Sequence, residues 1–157
     1  MLKKAMIVTA ISLACFSVAT PILAKTVKPT EQQIVAALLA QPAPKLKQCA
    51  RMGIIGYQNA LSGNYLVGRK DLPKNLVNAY AWAYVADERI QATGQKKLIK
   101  GQKKALDFIS SKMSKTQITE GQAIARGVIK RYSPSWPAKP RYINTQFPAQ
   151  CTINLNG

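Results

Sequence analysis

The sequence predicts an all-α protein: antiparallel helix pairs, about five helices, then a Pro-rich extended C-terminal strap. Three observations lead there. Apolar residues recur at three- and four-residue spacing across most of residues 30–132. Thr30-Glu31-Gln32-Gln33 and Ser114-Lys115-Thr116-Gln117 both match a capping box, a hydroxyl cap with Gln three residues on. Pro134, Pro137, Pro140 and Pro148 then bar a continuous helix from residues 133–157. The predicted organisation is a signal peptide over 1–24, a helical domain over 25–132 and the strap over 133–157.

Residues 1–24 read MLKKAMIVTAISLACFSVATPILA. Lys3 and Lys4 make a positive start, an apolar stretch runs from Ala5 to about Ala19, Pro21 breaks it, and Ala24 is small. That is the grammar of a secretory signal. Thr9, Ser12, Ser17, Thr20 and Pro21 make the stretch poor as a retained membrane span. Two cleavage sites stay open. Cutting after Ala24 leaves Ile22 where a small residue is preferred, whereas cutting after Ala19 puts Ser17 there. Lipid attachment at Cys15 is disfavoured by Ser12, which stands where a lipoprotein signal usually has Leu.

The first helix follows Thr30 and carries Ile34, Val35, Leu38 and Leu39, until Gln41-Pro42-Ala43-Pro44 stops it. A second is expected from Leu46 to about Leu61, weakened by Gly53 and Gly56. Ser62 to Lys74 reads as a turn region. Asn75 caps a third helix, Leu76 to about Gln91, which is apolar on nearly every side and so should be sandwiched between neighbours. Gly94 ends it. The fourth, Lys96 to Met113, has an inner stripe of Leu98, Ala105, Leu106, Ile109 and Met113. Its lysines Lys96, Lys97, Lys100, Lys103 and Lys104 fall within an arc of about 120°, with Asp107 one turn from Lys103 and Lys104. The fifth helix starts at the second capping box, with Ile118, Gly121, Gln122, Ala125, Val128, Ile129 and Tyr132 facing inward. The strap has room for a short strand near Tyr142-Ile143.

Composition narrows function. There are 23 Lys plus Arg against 6 Asp plus Glu, a formal charge of +17, and no histidine. Losing Lys3 and Lys4 with the signal lowers +17 to +15 on residues 25–157. Without histidine, Ser-His-Asp and Cys-His nucleophile pairs and histidine-containing zinc sites are excluded. No Gly-x-Ser-x-Gly, glycine-lysine phosphate loop or Ser-x-x-Lys occurs. The carboxylates Glu31, Asp71, Asp87, Glu88, Asp107 and Glu120 are scattered, so an opposed pair for sugar hydrolysis stays a remote alternative. With the signal gone, Cys49 and Cys151 remain, and an even count in an exported chain reads as a disulfide. Tyr80, Trp82 and Tyr84 alternate on one helix and so make no single stacking platform. Trp136 is left open between clamping the strap and meeting a partner.

Leu61 to Ala86 resembles a Sel-one-like repeat, a relative of the tetratricopeptide repeat. The resemblance rests on Leu61, Tyr65, Gly68, Leu72, Pro73, Ala79, Trp82 and Ala86. It implies that Gly68 and Pro73 shape the turn between two helices, that Ala79 and Ala86 permit close approach, and that Trp82 fills the wedge between them. Leu106 to Tyr132 is similar to the terminal helix pair of bacterial members of that family. Three departures stand out: an extra residue between Gly68 and Leu72, Asp71 in place of the second turn glycine, and Ser62 in place of the glycine after the leucine. One repeat is legible, where a solenoid commonly stacks about three.

The expectation is therefore an exported, periplasmic or secreted, non-enzymatic binding module without a cofactor or metal, an adaptor or immunity-type protein. Protein–protein recruitment is what the resemblance implies. The lysine arc adds a positive field that suits an acidic partner. The alternative is a cationic binder of anionic envelope lipid or polysaccharide, with a cell-wall or antibiotic hydrolase as the remote remainder. Export disfavours nucleic acid, and no membrane span is expected after signal cleavage.

Overall fold

The structure, a computed structural model, describes residues 29–140 and 148–153. The signal segment and the strand expected near Tyr142-Ile143 lie outside the described residues. The helices are α1 (Glu31–Leu39), α2 (Ala43–Arg51), α3 (Ile55–Val67), α4 (Leu76–Gln91), α5 (Lys96–Ser110) and α6 (Lys115–Tyr132), with short 3-10 turns at Ser133–Ser135 and Ala149–Cys151. The protein is all-α: the described residues form no strand, and Arg69 and Leu72 make an isolated bridge.

Local chemistry sets the helix starts. Thr30 Oγ1 accepts from the Gln33 amide at 3.2 Å while Gln33 Oε1 accepts from the Thr30 amide at 2.8 Å. Ser114 and Gln117 repeat the exchange at 3.2 and 2.9 Å. Asn75 Oδ1 accepts from the Asn78 amide at 2.9 Å and opens α4. Each contact satisfies amides that lack an intrahelical acceptor.

The expected second helix, Leu46 to Leu61, is two helices, which raises the number from about five to six. The chain breaks at Gly53, whose φ of +76° suits a residue without Cβ. A Cβ there would also come within 2.6 Å of the Trp136 ring. The prolines that end α1 also begin α2, because Pro44 sits in its first turn, where a missing N–H loses no intrahelical bond. At the other end α3 runs on to Val67, beyond the expected stop at Leu61, and closes at Gly68 with φ +84°. In α5, Ala105 is exposed rather than part of the inner stripe. Gln102 is the buried residue there, and its Nε2 donates to the Ala83 carbonyl at 2.8 Å.

The core surrounds α4, which packs against α3, α5 and α6. Ala79, Ala81, Ala83, Val85 and Ala86 are buried, and Trp82 is 8% exposed. Trp82 shares the main apolar cluster with Leu61, Leu72 and Val85. On the other side of α3, Arg69 and Asp71 tie down the ends of two helices. Arg69 Nη1 donates to the Leu39 carbonyl at 2.8 Å and Nη2 to the Gln41 carbonyl at 2.5 Å. Asp71 Oδ2 accepts from the Ala43 amide at 2.9 Å, and Oδ1 lies 2.6 Å from Arg69 Nε. One exposed ion pair thus closes the C-terminus of α1 and caps the N-terminus of α2.

The C-terminal residues hold α2 and α3 from outside. Cys49 and Cys151 form a disulfide across 102 residues, and both are fully buried. Tyr57 donates its hydroxyl to the Cys151 carbonyl at 2.9 Å. Trp136, left open by the sequence, acts as a clamp: its Nε1 donates to the Arg51 carbonyl at 2.7 Å. Arg89 lies 5.2 Å from the Trp136 ring centroid and donates to the Pro137 carbonyl at 3.0 Å.

Trp82→Ala should lower the unfolding free energy by about 3–5 kcal/mol in urea denaturation, the usual cost of emptying a buried aromatic site; a loss below about 1 kcal/mol would contradict its place in the core. Replacing Cys49 and Cys151 together with Ser should cost about 4–5 kcal/mol by the chain-entropy account, and thiol titration of the unreduced protein should find neither cysteine free. The Ala43 amide, and after it the Arg69 guanidinium, hold the Asp71 carboxyl below its ordinary range despite opposing desolvation. A lowered carboxyl contributes stability above its unfolded pKa of about 4 and loses it as pH falls through the folded value. Asp71→Asn should therefore flatten the fall of Tm on acidification below that pH, and an unchanged slope would show that the cap contributes nothing.

Candidate docking groove

Because α3 and α5 both pack on α4, a groove of about 400 Å³ remains between them. Ala83 and Ile90 of α4 form its floor. One wall is Asn59, Ser62, Gly63 and Leu66 of α3; the other is Leu98, Gly101, Gln102, Ala105, Phe108 and Ile109 of α5. Small residues keep it open on both sides. Side-chain hydrogen bonds to α4 hold the walls: Ser62 Oγ donates to the Ala79 carbonyl at 2.7 Å, and Gln102 Nε2 to that of Ala83, one turn further on. Both side chains are buried, so losing either bond would leave a polar group stranded.

The groove is mostly apolar and its rim is not. Phe108 is 55% exposed at one edge. Glu31 borders the groove and also a neighbouring hollow over the outer face of α1, where Val35 and Leu39 are exposed. Lys97 borders it on the α5 side. Lys104 lies on the same edge of α5, within about 60° of Gly101 around the helix axis.

All five residues of the lysine arc, Lys96, Lys97, Lys100, Lys103 and Lys104, are exposed. Among the described residues the sole ion pair is Arg69–Asp71, so none of the five is paired with a described carboxylate. Lys103 faces away from the groove, into a hollow of about 290 Å³ with Asp87, Gln91 and Asp107. Burial raises the Asp87 carboxyl above its ordinary value, opposed by a hydrogen bond from Gln91. Two carboxylates thus meet in one hollow, which their sequence separation gave no reason to expect. No group of three or more Cys, Asp or Glu capable of holding a metal occurs among the described residues.

The residues singled out between Leu61 and Ala86 gather where α3 meets α4. Leu61, Leu72, Ala79, Trp82 and Ala86 are buried, Tyr65 is half-buried, and Pro73 is exposed in the turn after Gly68. The Tyr65 carbonyl accepts from the Asn75 amide at 2.8 Å and closes that turn. Gly63, Gly101, Gln102 and Phe108 were not legible as groove residues. The only local signal was the small pair Gly101 and Ala105 at helical spacing beside an aromatic, and a surface helix can carry that pattern for other reasons. Comparison of the chain with known protein families, curated proteins and solved structures found no match.

Proposed function

We propose that this is an exported, non-enzymatic helical-repeat module that holds a segment of another protein in the α3/α5 groove, as an adaptor or immunity-type protein. The carrying observation is the groove itself: mostly apolar, braced by hydrogen bonds to α4, and bordered by Lys97, which has no ion-pair partner among the described residues. Its complement is an apolar segment flanked by acidic residues. The signal-like residues 1–24 and the buried disulfide favour a periplasmic or secreted location. No cofactor enters this reading.

The Sel-one-like repeat remains the preferred reading of α3 and α4. In its favour are the turn at Gly68, the alanines on the α4 interface and the buried indole. Two departures from the repeat pattern have physical roles. Ser62 supplies the hydrogen bond to Ala79, and Asp71 caps α2. The Pro-rich strap is part of the same proposal, with Trp136 and Cys151 as its anchors.

A second reading, a cationic binder of anionic envelope lipid or polysaccharide, is favoured by the lysine arc, which forms no ion pair among the described residues. Salt separates the two, since screening at about 0.5 M shrinks charge-only binding far more than groove packing.

Gly101→Leu tests the groove. A Cβ at Gly101 meets nothing within 4 Å, and replacing a helical glycine gains about 0.5–1 kcal/mol of helix propensity. The variant should melt no lower than the parent, yet fail to retain the partner captured by the tagged exported protein at about 0.5 M salt. Equal retention by Gly101→Leu would remove the groove from consideration. Changing the five arc lysines to Gln and abolishing all capture, with the groove intact, would instead favour the envelope reading.

A further inference from the structure

A second concavity lies about a third of a turn round α4 from the groove. It is a cleft of about 510 Å³ between α2, α4 and α6, with Asn78 and Trp82 of α4 at its base. Lys47 and Arg51 of α2 stand on one side, and Arg131 and Tyr132 of α6 on the other. No described carboxylate lines it, and none of its three cations has an ion-pair partner among the described residues.

Two of the three cations rest against one aromatic ring. Arg51 and Arg131 both approach the Tyr132 ring, at 5.8 and 5.5 Å from its centroid. Stacking on an aromatic face restrains a guanidinium while leaving its N–H edge free to donate. The two walls are also tied together. The Arg51 carbonyl accepts from Trp136 Nε1 at 2.7 Å, just beyond the end of α6, and the disulfide at Cys49 holds α2 from its other face. Basic residues in the last turns of α2 and α6 offset the helix dipoles. That accounts for Arg51 and Arg131 singly, but not for their convergence with Lys47 on one carboxylate-free cleft.

We propose that this cleft binds a small molecule through a phosphate or diphosphate group, independently of the α3/α5 groove. Three cations, two of them guanidinium forks able to donate in pairs, suit the charge of such a group. The volume lies in the range of ordinary small-ligand sites of about 300–1,000 Å³. Asn78 adds a polar side chain at the base.

Inorganic pyrophosphate titrated into the full chain by calorimetry, at constant ionic strength, is the test. One saturable site is expected. Arg51→Gln and Arg131→Gln should each weaken it roughly ten-fold or more, as loss of a charge-assisted hydrogen bond does. Arg51→Lys, which keeps the charge and the fold but not the fork, should also weaken it, though less. The double variant Lys100→Gln/Lys104→Gln on α5 should bind as the parent does. Sedimentation with phosphatidylcholine vesicles, with and without phosphatidic acid, identifies the source. Association that needs both phosphatidic acid and Arg51 assigns a lipid headgroup. Pyrophosphate binding without such association assigns a soluble phosphate ester. Absence of saturable binding, or an equal loss in the α5 double variant, would overturn the proposal in favour of diffuse surface charge.

Discussion

Alanines at 79, 81, 83 and 86, with Trp82 and Val85 between them, make the middle of α4 apolar on nearly every side, its charged residues Asp87, Glu88 and Arg89 falling in the later turns. A helix of that composition persists only if other elements cover it, since each uncovered apolar side chain forgoes about 1.5–3 kcal/mol of burial. α3, α5 and α6 are the cover. The remaining architecture follows from how closely they approach. Alanine lets the neighbouring helices come near the α4 backbone, and Ser62 and Gln102 bond to its carbonyls. The groove is the seam left between α3 and α5, and the cationic cleft lies where α2 meets α4 and α6.

The C-terminal residues solve a different problem. α1 and α2 are short, nine residues each, and helices of that length depend on tertiary contacts. The disulfide, the Tyr57 bond to the Cys151 carbonyl and the Trp136 indole provide them. Arg69 and Asp71 do the same from the α3/α4 turn. The short N-terminal pair is therefore held from two points remote in sequence. One of those points, the disulfide, is covalent.

Charge is distributed with equal economy. The chain has few carboxylates, and Asp71 is committed to a helix end. Among the described residues neither the arc on α5 nor the cations of the α2/α6 cleft form an ion pair, although Lys103 shares a hollow with Asp87 and Asp107. Both flank concave surfaces, where a positive field is strongest for an arriving anion. The two concavities differ in character. The groove is lined by small and apolar residues, whereas the cleft brings two guanidiniums onto one tyrosine.

Local signals made much of the secondary structure readable. The capping boxes at Thr30 and Ser114, the Asn75 cap and the apolar run of α4 each depend on residues within one or two turns, and all four stand as expected. The pairing of Cys49 with Cys151 followed from counting once Cys15 was assigned to the signal segment. What failed depended on distance. Gly53 breaks the second helix partly because Trp136, far along the chain, occupies the space of its missing Cβ. Gln102 is buried rather than Ala105 because the Ala83 carbonyl lies in reach. The groove and the cleft belong wholly to the tertiary level. Their residues come from three or more helices, and periodicity says which face of a helix turns inward, but not which gaps remain when those faces meet.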